Sequence, residues 1–182
     1  MSDPSKEYRI DCGTIKKMDI VNFMCHEHLE VNFDKNITFI TGPNGSGKSA
    51  ILTALQVAFG VRANSTGRAN KFDQLIRKGC NSGAEIKVWL RNVGLNAYKH
   101  SDYGDAIIVH RIIRSSSNRS MLENEWGKCV SDRKRDLADM LKHFNIKIEN
   151  PLVFMEQTTM KQFIQGDEKV KYEVLMQAMN FK

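Results

Sequence analysis

Asn36-Ile37-Thr38-Phe39-Ile40-Thr41-Gly42-Pro43-Asn44-Gly45-Ser46-Gly47-Lys48-Ser49 runs directly into Ala50-Ile51-Leu52-Thr53-Ala54-Leu55, and this stretch decides the fold. Asn36–Ile40 is a short apolar-rich run that predicts a strand, and the glycines after it predict a tight turn. From Lys48 to about Phe59, Ile51, Leu52, Leu55 and Phe59 fall on one helical stripe able to bury against a sheet. Strand, glycine loop and helix therefore follow in order. Gly42, Pro43, Asn44, Gly45, Ser46, Gly47, Lys48 and Ser49 fill every position of G-x-x-x-x-G-K-[ST]. Glycines let the backbone curl so that successive N–H groups face one anion, and the helix aims the positive end of its dipole at the same point. Lys48 adds a mobile charge for β- and γ-phosphates, and the Ser49 hydroxyl suits a place in the shell of Mg²⁺. ATP with Mg²⁺ is the ligand these parts predict.

Working outward, Gly13–Cys25 predicts a strand or strand pair, and Leu29–Phe33 alternates as a further strand. Beyond the helix, Gly60–Asn70 predicts a polar loop and Phe72–Ile76 a short helix. Ile86–Leu90 and Ile107–Ile113 predict strands, with Asn92–Gly104 a loop between them. Ser115–Ser120 predicts a flexible tip, and Trp126–Val130 the returning strand of an antiparallel lobe. Ser131 predicts the cap of a helix burying Leu137, Met140, Leu141 and Phe144. Pro151 ends that run and starts a short buried strand, Leu152–Met155. Asp167 predicts the cap of a last helix carrying Val170, Val174, Leu175 and Ala178.

Bulk properties narrow the class. With 182 residues and 41% hydrophobic content, the chain suits one compact domain with a real core. A net charge of +6, from 27 basic and 21 acidic residues, favours phosphate-bearing partners. The four cysteines, Cys12, Cys25, Cys80 and Cys129, form no C-x-x-C pair and predict reduced intracellular thiols. Neither a secretory leader nor an apolar run of membrane-spanning length is legible, so no membrane association is expected.

A hydrolase of this class needs a second strand ending in Asp or Asp-Glu to hold Mg²⁺ and position water. No segment reads that way: Ile107–Ile113 ends in arginine, and Leu152–Met155 meets Glu156 in a Met-Glu-Gln setting. Hydrolysis is therefore expected only with another polypeptide segment.

Several further runs carry a resemblance. Asn22-Phe23-Met24-Cys25-His26, the glycine loop with its helix, Ser65-Thr66-Gly67-Arg68, Leu90–Gly94, Tyr103-Gly104, His143–Ile146, and Asn150–Gln157 followed by Lys161–Phe163 occur in one order. Together they resemble the N-terminal head of a structural maintenance of chromosomes (SMC) ATPase, within it the subfamily of the sixth eukaryotic subunit. The likeness covers about 13–180, with 1–12 a polar tail. It implies an α/β fold, the P-loop half of an ABC-type head with an antiparallel β lobe, incomplete without a coiled coil, hinge and C-terminal half carrying the signature motif and Walker B. It implies that Arg68 meets nucleotide or DNA phosphates, and that Gln157, in a Q-loop reading Phe-Met-Glu-Gln where Val-Leu-Thr-Gln is commoner, senses Mg²⁺ and the attacking water. It also implies a nuclear, chromosomal complex with the fifth SMC subunit and non-SMC subunits, serving recombinational DNA repair, in which paired heads sandwich ATP and act on single- and double-stranded DNA.

Two other functions fit a P-loop: a small metabolite kinase, which needs a lid and an acidic strand, and a DNA-tethering module with a vestigial loop. Cys25-His26-Glu27-His28 has metal-ligand chemistry, but strand neighbours point to opposite faces and packing explains it better. Lys16, Lys17, Arg111, Arg114, Arg119, Arg133, Lys134 and Arg135 form a candidate DNA-facing surface.

Overall fold

A computed structural model describes residues 12–148, 150, 153–155 and 157–179. The chain divides into two compact units, Met1–Phe144 and Asn145–Lys182, where composition pointed to one domain. Most of the N-terminal tail, together with Pro151, Leu152 and Glu156, lies outside the described residues.

In the first unit the elements are β1 (Ile15–Phe23), β2 (His26–Asn32), α1 (Lys48–Ala58), β3 (Ala84–Arg91), α2 (His100–Tyr103), β4 (Ala106–Ile113), β5 (Asn118–Glu123), β6 (Cys129–Ser131) and α3 (Lys134–His143). Short 3-10 turns occupy Ala63–Thr66 and Phe72–Leu75. The strands make one sheet in the order β2-β1-β3-β4-β5-β6, antiparallel throughout.

Register follows the hydrophobic alternation. Met18 faces Val88, Ile20 faces Ile86, Leu90 faces Ile107 and Val109 faces Leu122. These side chains are fully or almost fully buried. Each stabilises the fold by about 1.5–3 kcal/mol through removal from water. The opposite face carries charge: Lys17 meets Glu30 at 2.6 Å and lies over the Trp89 ring, and Asp19 meets His28 at 2.8 Å. A one-residue slip would exchange the two faces, which fixes the pairing. His110, on the charged face, is held by Glu123 at 2.6 Å with both side chains buried.

α1 lies against β1, β3 and β4, the apolar side of the sheet. Its burial goes beyond the predicted stripe: Ala50, Ile51, Thr53, Ala54, Leu55, Gln56, Val57 and Ala58 are all covered, while Leu52 is only half-buried. Small alanines on several sides let neighbouring segments approach all round, a pattern that a single-stripe reading does not capture. Thr53 satisfies its hydroxyl locally, donating to the Ser49 carbonyl at 3.1 Å.

Five expectations differ from the structure. Asn36–Ile40 belongs to none of the strands; Ile37 and Phe39 are 69% and 85% exposed. A strand exists through partners, and none of the six strands of the sheet pairs with this run. Asn118–Glu123, read partly as a flexible tip, is strand β5, and Trp126 sits in an exposed turn before a much shorter β6. Asn124 closes that turn, its side-chain oxygen accepting from the Trp126 and Lys128 amides at 3.2 and 2.9 Å. Ser131 does not occupy the N-cap of α3; Arg133 does, while the Ser131 hydroxyl donates to Asp136 at 2.5 Å and accepts from the Arg133 amide at 3.2 Å. Finally, Val153–Met155 form a turn and bend, with Val153 49% exposed, and not a buried strand.

The second unit holds α4 (Gln157–Gln165) and α5 (Glu168–Met179) in mutual contact. Here the predicted cap holds: the Asp167 carboxylate accepts from the Val170 amide at 2.9 Å.

Candidate nucleotide-binding site

The glycine loop is exposed and curled. Gly45 and Gly47 take φ of 82° and 87°, a left-handed conformation that L side chains resist, and the Ser46 amide donates to the Pro43 carbonyl at 3.3 Å. Gly47 is the N-cap of α1, with no side-chain cap bond and no acidic residue in the first turn. Of the first-turn amides of α1, that of Ala50 donates to the Gly47 carbonyl at 2.9 Å, which leaves those of Lys48 and Ser49 at the positive end of the dipole, an arrangement that attracts an anion. Among these groups Lys48 folds back, its ammonium donating to the Gly42 and Pro43 carbonyls at 2.8 and 2.7 Å. That posture holds the charge at the loop while keeping it exchangeable, since both partners are neutral acceptors. Ser49, exposed on the first turn, presents its hydroxyl beside the same loop. A phosphate chain with Mg²⁺ fits these residues: donors, one cation and a hydroxyl, with no carboxylate in the first turn to repel it.

The loop rests on the β1–β2 turn. His26 Nε2 lies 3.2 Å from the Gly47 carbonyl, and a Cβ at residue 47 would overlap both the His26 ring and the Cys25 sulfur. Nothing in the sequence joins positions 26 and 47.

Of the other expected site residues, Arg68 lies in the first unit and Gln157 in the second. Arg68 is exposed on the loop after the Ala63–Thr66 turn, its amide donating to Thr66 Oγ1 at 3.3 Å. Gln157 is the exposed first residue of α4, in the second unit. Arg111 must be removed from the candidate DNA-facing surface. It shares the core face with Val109 and Ile113, is 6% exposed, stacks over Phe72 at 4.9 Å and donates to Asn118 at 2.9 Å. Burial lowers its pKa from the usual guanidinium value. Lys16, Arg133 and Lys134 are exposed; Arg114, Arg119 and Arg135 are exposed as well but pair with Glu85, Asp132 and Asp139 at 3.2, 3.0 and 3.8 Å. Sequence reading missed Arg62 and Lys71, which join Arg114, Ser115–Ser117 and Asn118 around a cleft of about 500 Å³. Among the described residues, no group of three or more His, Cys, Asp or Glu could hold a metal, and Cys25 and His26 are spent on the glycine loop.

Residues 17–182 match the family model described as an AAA domain. The chain is 42% identical to Structural maintenance of chromosomes protein 6A of Arabidopsis thaliana over 178 residues, which are 97% of this chain and 17% of that protein. It is 42% identical to Structural maintenance of chromosomes protein 6 of Homo sapiens over 171 residues, 92% of this chain and 16% of that one. It thus spans about a sixth of the length of these relatives. A solved structure reported under the structural biochemistry of ATP-driven dimerization and DNA-stimulated activation of SMC ATPases superposes with a TM-score of 0.69 at 20% identity, covering 90% of this chain and 98% of the other. That likeness establishes the fold, an SMC ATPase head of the P-loop α/β class with its antiparallel lobe. The chain therefore belongs to the AAA domain family, and the region it matches is the N-terminal ATPase head of structural maintenance of chromosomes 6 proteins.

Proposed function

We propose that the chain is the ATP-binding N-terminal half-site of an SMC ATPase head, working in a nuclear complex for recombinational DNA repair and chromosome maintenance. The observation that carries this reading is the uncapped N-terminus of α1, with Lys48 parked on two loop carbonyls beside exposed Ser49. In the proposed site, the amides of the glycine loop and of the first helical turn hold the phosphates. Lys48 exchanges its carbonyl partners for phosphate oxygens, and Ser49 takes a place around Mg²⁺. The bound metal would supply neutralisation of the triphosphate charge. Arg68 is assigned to nucleotide or DNA phosphates, and Gln157 to sensing Mg²⁺ and the attacking water.

Partner assignments follow the resemblance to SMC heads. The fifth SMC subunit and non-SMC subunits are the proposed protein partners, and DNA the proposed polymer; the cleft flanked by Arg62, Lys71 and Arg114 offers backbone-compatible charge. ATP-driven dimerization and DNA-stimulated activation, as described for the similar solved structure, are proposed here as well. Hydrolysis calls for an acidic strand and a partner's signature motif, which this segment does not supply. Phosphate release by the purified chain tests this: we expect no turnover above buffer, and robust ATPase activity that disappears in Lys48→Ala would contradict the half-site reading.

A further inference from the structure

We propose that His26 is a positioning residue for the phosphate cradle, whose Nε2–H holds the Gly47 carbonyl and thereby aims the Lys48 amide at the bound anion. This deepens the nucleotide reading above and rests on it.

The β1–β2 turn holds two residues in a left-handed conformation. Asn22 and Met24 take φ of 51° and 53°, conformations that cost non-glycine residues energy and persist only where surroundings impose them. Those surroundings are identifiable. The Met24 amide donates to the Leu75 carbonyl at 2.7 Å, the Arg77 amide to the Asn22 carbonyl at 2.8 Å, and Phe23, fully buried, bridges to Ile76. The turn is thus fastened to 75–77 on one side, and it presents His26, the first residue of β2, to the glycine loop on the other.

At Gly47 the chemistry is one-directional. A carbonyl oxygen only accepts, so the 3.2 Å contact requires the proton on Nε2. The oxygen has two lone pairs, and the Ala50 amide uses the other at 2.9 Å. No cis bond occurs, so the Gly47–Lys48 peptide is planar and trans, with its C=O and N–H pointing in opposite directions. Holding the oxygen toward the β1–β2 turn therefore fixes the Lys48 N–H on the far side, where the cradle opens. α1 has no side-chain cap, and His26 tethers this N-terminus from outside the loop and the helix. Simple packing would need the ring; positioning needs the donor.

Two substitutions separate these roles. His26→Phe keeps a ring and removes the donor, whereas His26→Gln places an N–H where Nε2 stood; His26→Leu is a second donor-free variant should the phenylalanine unfold the chain. Loss of one hydrogen bond predicts an Mg·ATP dissociation constant raised about three- to tenfold for the donor-free variants, with glutamine within about twofold of wild type. The amide ¹H–¹⁵N resonance of Lys48 in the nucleotide-free chain gives a readout independent of ATP. It should shift in His26→Phe and return toward its wild-type position in His26→Gln. An unmoved resonance, unchanged affinity in the donor-free variants, or glutamine behaving like phenylalanine overturns the proposal. A resonance that behaves as expected in a wild-type chain that binds no ATP overturns the nucleotide reading instead.

Discussion

Replacing Gly47 by alanine tests the architecture of the loop quantitatively. Residue 47 has φ 87°, and its missing Cβ leaves the space that the His26 ring and Cys25 sulfur fill. The left-handed backbone costs an L-residue roughly 1–2 kcal/mol. Forcing a methyl into occupied space adds roughly 1–3 kcal/mol. The expected loss is therefore about 2–5 kcal/mol, a large part of the stability of an ordinary domain. Gly45 provides the internal control, since its φ is 82° but a Cβ there meets nothing within 4 Å. Gly45→Ala should cost only the backbone share, about 1–2 kcal/mol. Equilibrium urea unfolding of both variants measures the difference directly. Adding His26→Ala to Gly47→Ala should recover part of the deficit, because the two positions are in contact and their effects do not add. If the two glycine variants fall within roughly 0.5 kcal/mol of each other, the β1–β2 turn does not support the loop as described.

Two further outcomes concern the scaffold. Asn92 is fully buried, donating to the Tyr98 and Gly104 carbonyls at 3.1 and 2.8 Å and accepting from the Tyr98 amide at 2.7 Å. Asn92→Ala strands three backbone groups and should cost about 2–4 kcal/mol in urea unfolding; a loss well under 1 kcal/mol would contradict the network. Burial pushes the Tyr103 phenol up to about 12 from 10.0. Its neutral form is the one the fold favours, so its stabilisation is complete below pH 10 and is lost as pH rises through about 12. Urea midpoints taken at pH values between those limits should fall less steeply in Tyr103→Phe than in wild type, and parallel curves would refute the assignment.

Strong local signals were legible in the sequence, and non-local partnerships were not. The glycine loop and α1 follow from spacing and turn chemistry, and β1, β3 and β4 from alternation, because each feature is written within a few residues. Asn36–Ile40 has strand composition, yet strand formation depends on a neighbour, and its own residues do not name one. β5 begins with Asn118-Arg119-Ser120, polar residues that look like a loop until β4 supplies hydrogen bonds. Arg111 shows the reverse: its place two residues from both Val109 and Ile113 already put it on the core face, and the charge obscured that. Phe72 and Asn118, which make its burial tolerable, come from distant segments. The His26–Gly47 contact is of the same kind, since no periodicity connects the two. Arg68 and Gln157 were reached by resemblance, and their roles belong to the proposed function.

The central claim is that the curled loop, with Lys48, binds the phosphates of Mg·ATP. Titrating the wild-type chain and Lys48→Ala with a fluorescent ATP analogue in the presence of Mg²⁺ tests it most directly. Removing one charge-assisted phosphate contact of about 1.5–3 kcal/mol should weaken binding at least tenfold. The exposed loop should leave the unfolding midpoint nearly unchanged. Equal affinities for the two proteins, or no saturable binding by the wild type, would contradict the account.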